Sequence, residues 1–443
     1  MTTTMKKTGI VLMGALALGA CDGLLDVNNP NNLVEESIRQ EAAASAMANG
    51  SLARVSRAVG FIWQPYEVTS DDFYWVGSRD AWLSLDQGFI SNPENEFTDA
   101  AFPPLGDARW LADEAIEVLT EHVANTPTTR MKTDLARAQL YAGVIYTVIG
   151  EVQDDFAFSD KTEDGPPVGP DNMKTVLDKA ITYLDAAITG AKGVGDKNLE
   201  MKATMMRARA KHSRAIWDLI NPSVKAGSGL AASAGAATDA LAAIGLAGGI
   251  TADVNYDLTF SATTVGNDMA SWINDRKENQ VDQSLVNITS TFDVASIKVV
   301  DPIDNVTDPA FKKRLEHFRA GAFNSKGSQY APLAIASTRL MHLIVAENAL
   351  AGGDQAGFTT HVNHVRAMDG LTPYSGQIPA ADMLRHERRV NLWTMGLRLA
   401  DMYRWGIKDP KWQANGDAVA KAGTMLPITI IERRANCYLN GTC

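Results

Sequence analysis

Cysteine is close to absent, three in 443 residues, which excludes a small scaffold stapled by disulfides. Positive charge is short as well: 41 Lys and Arg stand against 52 Asp and Glu, a net charge of −11. The basic residues form no stripe able to neutralise a row of phosphates, so no nucleic-acid partner is expected. No apolar run crosses a bilayer; Ile10 to Leu18 has about half of the ~20 residues needed. Catalytic signatures are missing too. There is no His-Glu-x-x-His, no Gly-x-Ser-x-Gly elbow, no phosphate-cradling Gly-x-x-x-x-Gly-Lys and no EF-hand loop. Neither an enzyme nor a cofactor or metal is therefore expected. What is plentiful is apolar mass, 45% of the chain, enough at this length to bury a large core.

The first twenty residues are set apart as an export signal, with Lys6 and Lys7 leading into the short apolar run. That run ends in Leu18-Gly19-Ala20-Cys21, which looks like the lipobox of bacterial lipoproteins, so Cys21 is the expected site of lipid attachment. Residues 21–32 are Asn-rich and closed to helix by Pro30, a tether. Cys437 and Cys443 remain as an even pair in an exported chain and are expected to form a small terminal loop.

Beyond the tether one domain, 33–443, is expected. Ala-rich amphipathic segments recur at about 33–60, 106–124, 131–150, 172–191, 200–220, 331–352, 355–368, 379–394 and 396–406. Gly150, Gly190, Gly352 and Gly370 fall where C-caps would. Strand-like runs are few. The fold class is mostly α: tetratricopeptide-like helical hairpins over about 106–220 and 331–407, each burying a face on the next. An irregular, loop-rich ligand-binding layer is expected over about 61–105 and 226–330.

Chemistry-bearing residues are sparse. His361-x-x-His364 puts two imidazoles on one helix face, with no third donor nearby in sequence, which favours a structural role. Glu387, Arg388, Arg389, Arg398, Asp401 and Arg404 alternate with large apolar residues on two short helices. Such guanidinium groups are expected to form buried ion pairs that clamp the last helices to the body.

This C-terminal stretch resembles the signature of the SusD/RagB family of outer-membrane nutrient-binding lipoproteins. The lipobox, Leu25-Asp26-Val27, the Ala-Glu-Asn-Ala-Leu segment at 346–350, Val365-Arg366 before Gly370-Leu371, and Leu426-Pro427-Ile428 follow in the family's order. Asn391 and Met395 replace two of the family's carboxylates, which leaves open how Arg388, Arg389 and Arg398 are neutralised. The resemblance implies a lipid-anchored, cell-surface protein of the outer membrane. It would bind oligosaccharides, or alternatively peptides, and pass them to a SusC-like TonB-dependent transporter; a secreted hydrolase is the least supported reading.

A ligand site is expected among aromatics. Phe61, Trp63, Tyr66, Phe73, Tyr74, Trp75 and Trp82 put seven rings into 22 residues of a chain that is 7% aromatic. Rings stack on the C–H faces of sugars, and the adjacent Asp71, Asp72, Arg79 and Asp80 could bind hydroxyls. Arg79-Asp80-Ala81-Trp82 also approximates an Arg…Asp-Trp element of the resembled family. Trp272, with Ser271, Asn274, Asp275 and Arg276 beside it, is the candidate from the second irregular stretch.

Overall fold

The computed structural model describes residues 39–160 and 163–443. Of the described residues, 39–44 fall in one unit and 45–443 in another; apart from the first four residues of the first helix, the helices and ribbons described below belong to the second. The signal, Cys21 and the 21–32 tether lie outside the described residues. Among the described residues, no helix is long and apolar enough to cross a membrane.

Helices dominate because the apolar residues recur at helical spacing. The first seven are α1 (Glu41–Thr69), α2 (Asp80–Asp86), α3 (Glu96–Asn125), α4 (Thr129–Val152), α5 (Lys174–Val194), α6 (Lys197–Ile220) and α7 (Ala234–Leu246). After an irregular stretch come α8 (Pro309–Arg319), α9 (Thr338–Ala351), α10 (Gln355–Ala367), α11 (Ala380–Asn391) and α12 (Arg398–Arg404). Many of their N-termini are closed by side chains: Asn95 on α3, Thr128 on α4, Asp196 on α6, Ser233 on α7, Asp308 on α8 and Asp354 on α10 each accept the orphan amides of the first turn. The helices pack in succession, α3 on α4, α4 on α5, α5 on α6, α6 on α7, then α7 and α10 on α9.

Several boundaries differ from the sequence expectation. Gly150 and Gly190 are interior positions of α4 and α5, not caps. They let two helices approach: a Cβ at Gly150 would stand 2.7 Å from Leu177, and one at Gly190 2.8 Å from Ala136. The true cap of α5 is left-handed Gly195. The Ala-rich stretch at 234–246 lies in the irregular region where loops and short helices are expected, and it forms α7. Residues 333–337, expected as the start of a helix, form a strand. Helix α1 carries through Pro65 to Thr69, so 61–69 belongs to the helical body.

Among the described residues the strands make three antiparallel ribbons. β1 (Phe73–Trp75) pairs with β3 (Asn279–Val281), β2 (Asn255–Leu258) with β6 (Leu333–Ser337), and β4 (Val286–Ile288) with β5 (Val294–Ile297). The first sets Tyr74 opposite Gln280 and Trp75 opposite Asn279, with Tyr74 and Gln280 lying 206 residues apart in sequence. Cys437 and Cys443 are joined by a disulfide with a Cα separation of 4.9 Å.

Candidate functional site

The aromatic segment divides into packing and surface. Trp63 and Tyr66 lie on the inner face of α1, Phe73 on the inner side of β1, and all three are fully buried. Phe73 contacts Phe318 and Trp393 at ring distances of 5.7 and 5.4 Å. Trp82 is 1% exposed and stacks on Phe97 at 3.6 Å with the rings 7° from parallel. Trp272 meets both edge-on, at 5.7 Å from Trp82 and 5.3 Å from Phe97. Four of the expected stacking rings, Trp63, Tyr66, Phe73 and Trp82, are thus core residues: clustered aromatics are also what anchors a layer of loops on helices, and no face of theirs reaches solvent. Phe61, Tyr74 and Trp75 remain partly exposed.

Asp71 and Asp72 are not free for a ligand either. Arg398 grips Asp71 in a two-pronged pair, Nε at 2.6 Å and Nη2 at 2.7 Å. Arg389 bonds Asp72, and its Nη2 lies 3.1 Å from Asp71. Burial raises the Asp71 carboxyl, but Arg389 and Arg398 outweigh it and hold it below the ordinary carboxylate range. These two acids stand in for carboxylates missing near Arg389 and Arg398.

The clamp has two further parts. Arg388 donates to Asp401 at 2.8 and 3.1 Å, and Arg404 bridges Asp401 at 2.7 Å and fully buried Glu347 of α9. His212 of α6 adds its Nε2 at 3.1 Å. Burial raises Glu347, yet Arg404, His212 and Arg388 together hold it well below its usual range. Glu387 joins a separate network, taking Arg366 at 3.0 Å while Arg366 also holds Asp301 at 2.7 Å; here burial wins and pushes Glu387 up to about 7.

Trp272, expected as a stacking ring, is itself buried, 9% exposed and part of the same core, and only the surface beside it is open. This ring sits in a π-helical turn, Ser271–Asp275, followed by Lys277 at φ 57°; π-turns and left-handed residues persist where the surroundings enforce them, often at functional positions. Arg276 lies over one face at 4.3 Å and Arg79 approaches at 5.4 Å. Arg79 is also paired with Glu96 at 2.8 Å, and Asp80 is exposed in the first turn of α2. Asn274 turns inward and donates to the carbonyls of Phe318 and Ser328. Next to this turn is a polar hollow of about 260 Å³ lined by Ser261, Thr264, Asn267, Asp268, Ser271 and Tyr330, among others. Burial pushes Asp268 up to about 6, against Arg57 and Arg276. A ring at the margin of the core, two guanidinium groups, hydroxyls and a carboxyl on a shallow surface offer stacking and hydrogen-bond contacts to a polar ligand. Tyr330 and Asp268 were not legible in the sequence, since each is a lone residue in a loop whose neighbours only the fold supplies.

Two other places gather polar groups. A groove of about 290 Å³ on α3 is lined by Phe102, Arg109, Phe156 and Glu432 among others, but Arg109 is engaged by the Ser159 carbonyl and by Asp113 at 3.6 Å. Asp301, Asp308 and His386 bring ligand atoms within 4.8 Å of one another. Their oxygens already accept from Arg366, the amides of Ile303, Asp304 and Phe311, and His386, so a cation would have to displace a guanidinium.

No protein-family model and no curated protein matches the chain. Among solved structures it is similar to a SusD superfamily protein from Bacteroides thetaiotaomicron, at 13% identity over 90% of this chain and 98% of that one with a TM-score of 0.63. A SusD homolog from the same organism gives 13% identity, 87% and 92% coverage and a TM-score of 0.61. A Bacteroides vulgatus protein named "Putative sugar binding protein" gives 14%, 90%, 97% and 0.56. Identities this low speak to fold alone, and in fold the chain is SusD-like.

Proposed function

We propose that this protein is a lipid-anchored receptor of the outer-membrane surface that binds an oligosaccharide and delivers it to a TonB-dependent, SusC-like transporter. The observation that carries the reading is the SusD-like fold over nine-tenths of the chain, in a sequence that opens with a lipobox at Cys21. The sugar-binding description of one fold neighbour and the absence of catalytic motifs from the sequence support a binding role over a hydrolytic one. The ligand is assigned to the surface around Trp272, with Arg79 and Arg276 as movable covers of the ring and Tyr330, Ser271 and Asp268 as partners for hydroxyls.

A glycan array followed by calorimetry on the detergent-solubilised protein tests this. Tyr330→Ala and Arg276→Ala each should weaken binding by about 5- to 30-fold, one stacked or hydrogen-bonded contact being worth about 1–2 kcal/mol, with the melting temperature unchanged. Binding to peptides and to no glycan would replace the ligand class; glycan binding indifferent to both substitutions would move the site.

A further inference from the structure

His361 and His364 lie one turn apart on α10, and the sequence offers no third donor beside them. The fold does. His342, fully buried on the packed helix α9, meets His361 with Nδ1 facing Nδ1 at 3.0 Å. The three rings stand 5.3, 5.1 and 5.7 Å apart, centroid to centroid, for His342–His361, His342–His364 and His361–His364. His342 Nε2 is buried without a regular hydrogen bond, its polar neighbour being the Ile250 backbone.

Three imidazoles packed on one another satisfy each other poorly. Two Nδ1 atoms in contact require one to donate and the other to accept, and a third ring in the group competes for the same lone pairs. A single cation would use them all. We propose that His342, His361 and His364 form a binding site for one divalent transition metal, Zn²⁺ by its ligand chemistry, tying α9 to α10 and leaving the fourth position to water. Zn–N bonds of 2.0–2.1 Å place two ligand nitrogens of a tetrahedral site about 3.3 Å apart, close to the His342–His361 separation. The nitrogens of all three do not yet lie within 4.8 Å of one another, so loading turns a ring, and half-exposed His361 and His364 have room for it.

The site is independent of the proposed ligand surface and is tested without glycan. The full chain in detergent, stripped with EDTA, is titrated with ZnCl₂ by calorimetry and melted with and without the metal. One equivalent should bind and raise the melting temperature, since the metal binds the folded state. His361→Gln and His364→Gln, both half-exposed positions, should leave the metal-free melt unchanged and weaken binding by at least about tenfold, since loss of even an outer-shell partner of a metal ligand typically costs about that much. His386→Gln should bind as wild type. No Zn²⁺ binding, binding undiminished in both His361→Gln and His364→Gln, or binding lost instead with His386→Gln would overturn the assignment.

Discussion

At the scale of the residue, Trp82 shows what local enrichment can and cannot convey. Seven rings in 22 residues mark the segment as one where aromatics matter, but enrichment cannot say whether a ring packs or binds, because that depends on Phe97 and Trp272 arriving from elsewhere. Trp82→Ala removes a ring stacked at 3.6 Å on Phe97 and opens a cavity in the core, at a cost of about 3–5 kcal/mol. A large drop in melting temperature is the expected outcome, whereas a variant as stable as wild type would return Trp82 to the ligand surface. Asp71 and Asp72 carry the same lesson. The sequence shows the acid pair and shows that Arg389 and Arg398 lack carboxylates, but only contacts across 317 to 327 residues bring the two facts together.

Elements were legible where their cause is local. The long helices α4, α5 and α6 announce themselves by apolar spacing and by caps such as Thr128 and Asp196. The failures are equally physical. An unbroken apolar run such as 333–337 reads alike as buried strand or buried helix, and β6 is a strand because β2 pairs with it. The bounds of helix α7 were not legible, because its Gly-rich, Ala-rich stretch has little polar contrast to reveal a period. The clamp was legible as a group, but its partner Glu347, on α9, was not. Asp401 neutralises Arg388 and Arg404 inside a buried network, so Asp401→Ala strands two guanidinium groups and should cost about 3–5 kcal/mol. Urea unfolding measures it, and a loss below about 1 kcal/mol would mean that Glu347 alone suffices to hold both.

For the whole molecule, the buried charges set a pH profile. Burial pushes Glu67, Asp86, Asp154 and Glu387 up to about 7 and Asp268 up to about 6, while in the unfolded chain such groups titrate near 4. Between those limits the folded state binds more protons, so acidification from pH 7 stabilises it through these five groups. Buried His342 and partly buried His361 act in the opposite direction: the unfolded chain protonates them near 6.5, the folded one only at about 3 and about 4, and their contribution fades as pH falls through that window. His212, also lowered by burial, adds to this loss. Five carboxyls against three imidazoles leave a net gain down to about pH 5. Below about 4 the balance reverses, because Asp71, Glu347 and Asp401 are held under the ordinary carboxylate range by their arginines. Their pairing stabilises only while the unfolded chain is ionised too, so it is lost as pH falls further. The metal-free protein should therefore melt highest near pH 5, with lower midpoints at pH 3.5 and pH 7.5. Scanning calorimetry across that range decides it, and a midpoint that climbs steadily to pH 7.5 would mean that the histidines, not the buried carboxyls, govern the profile.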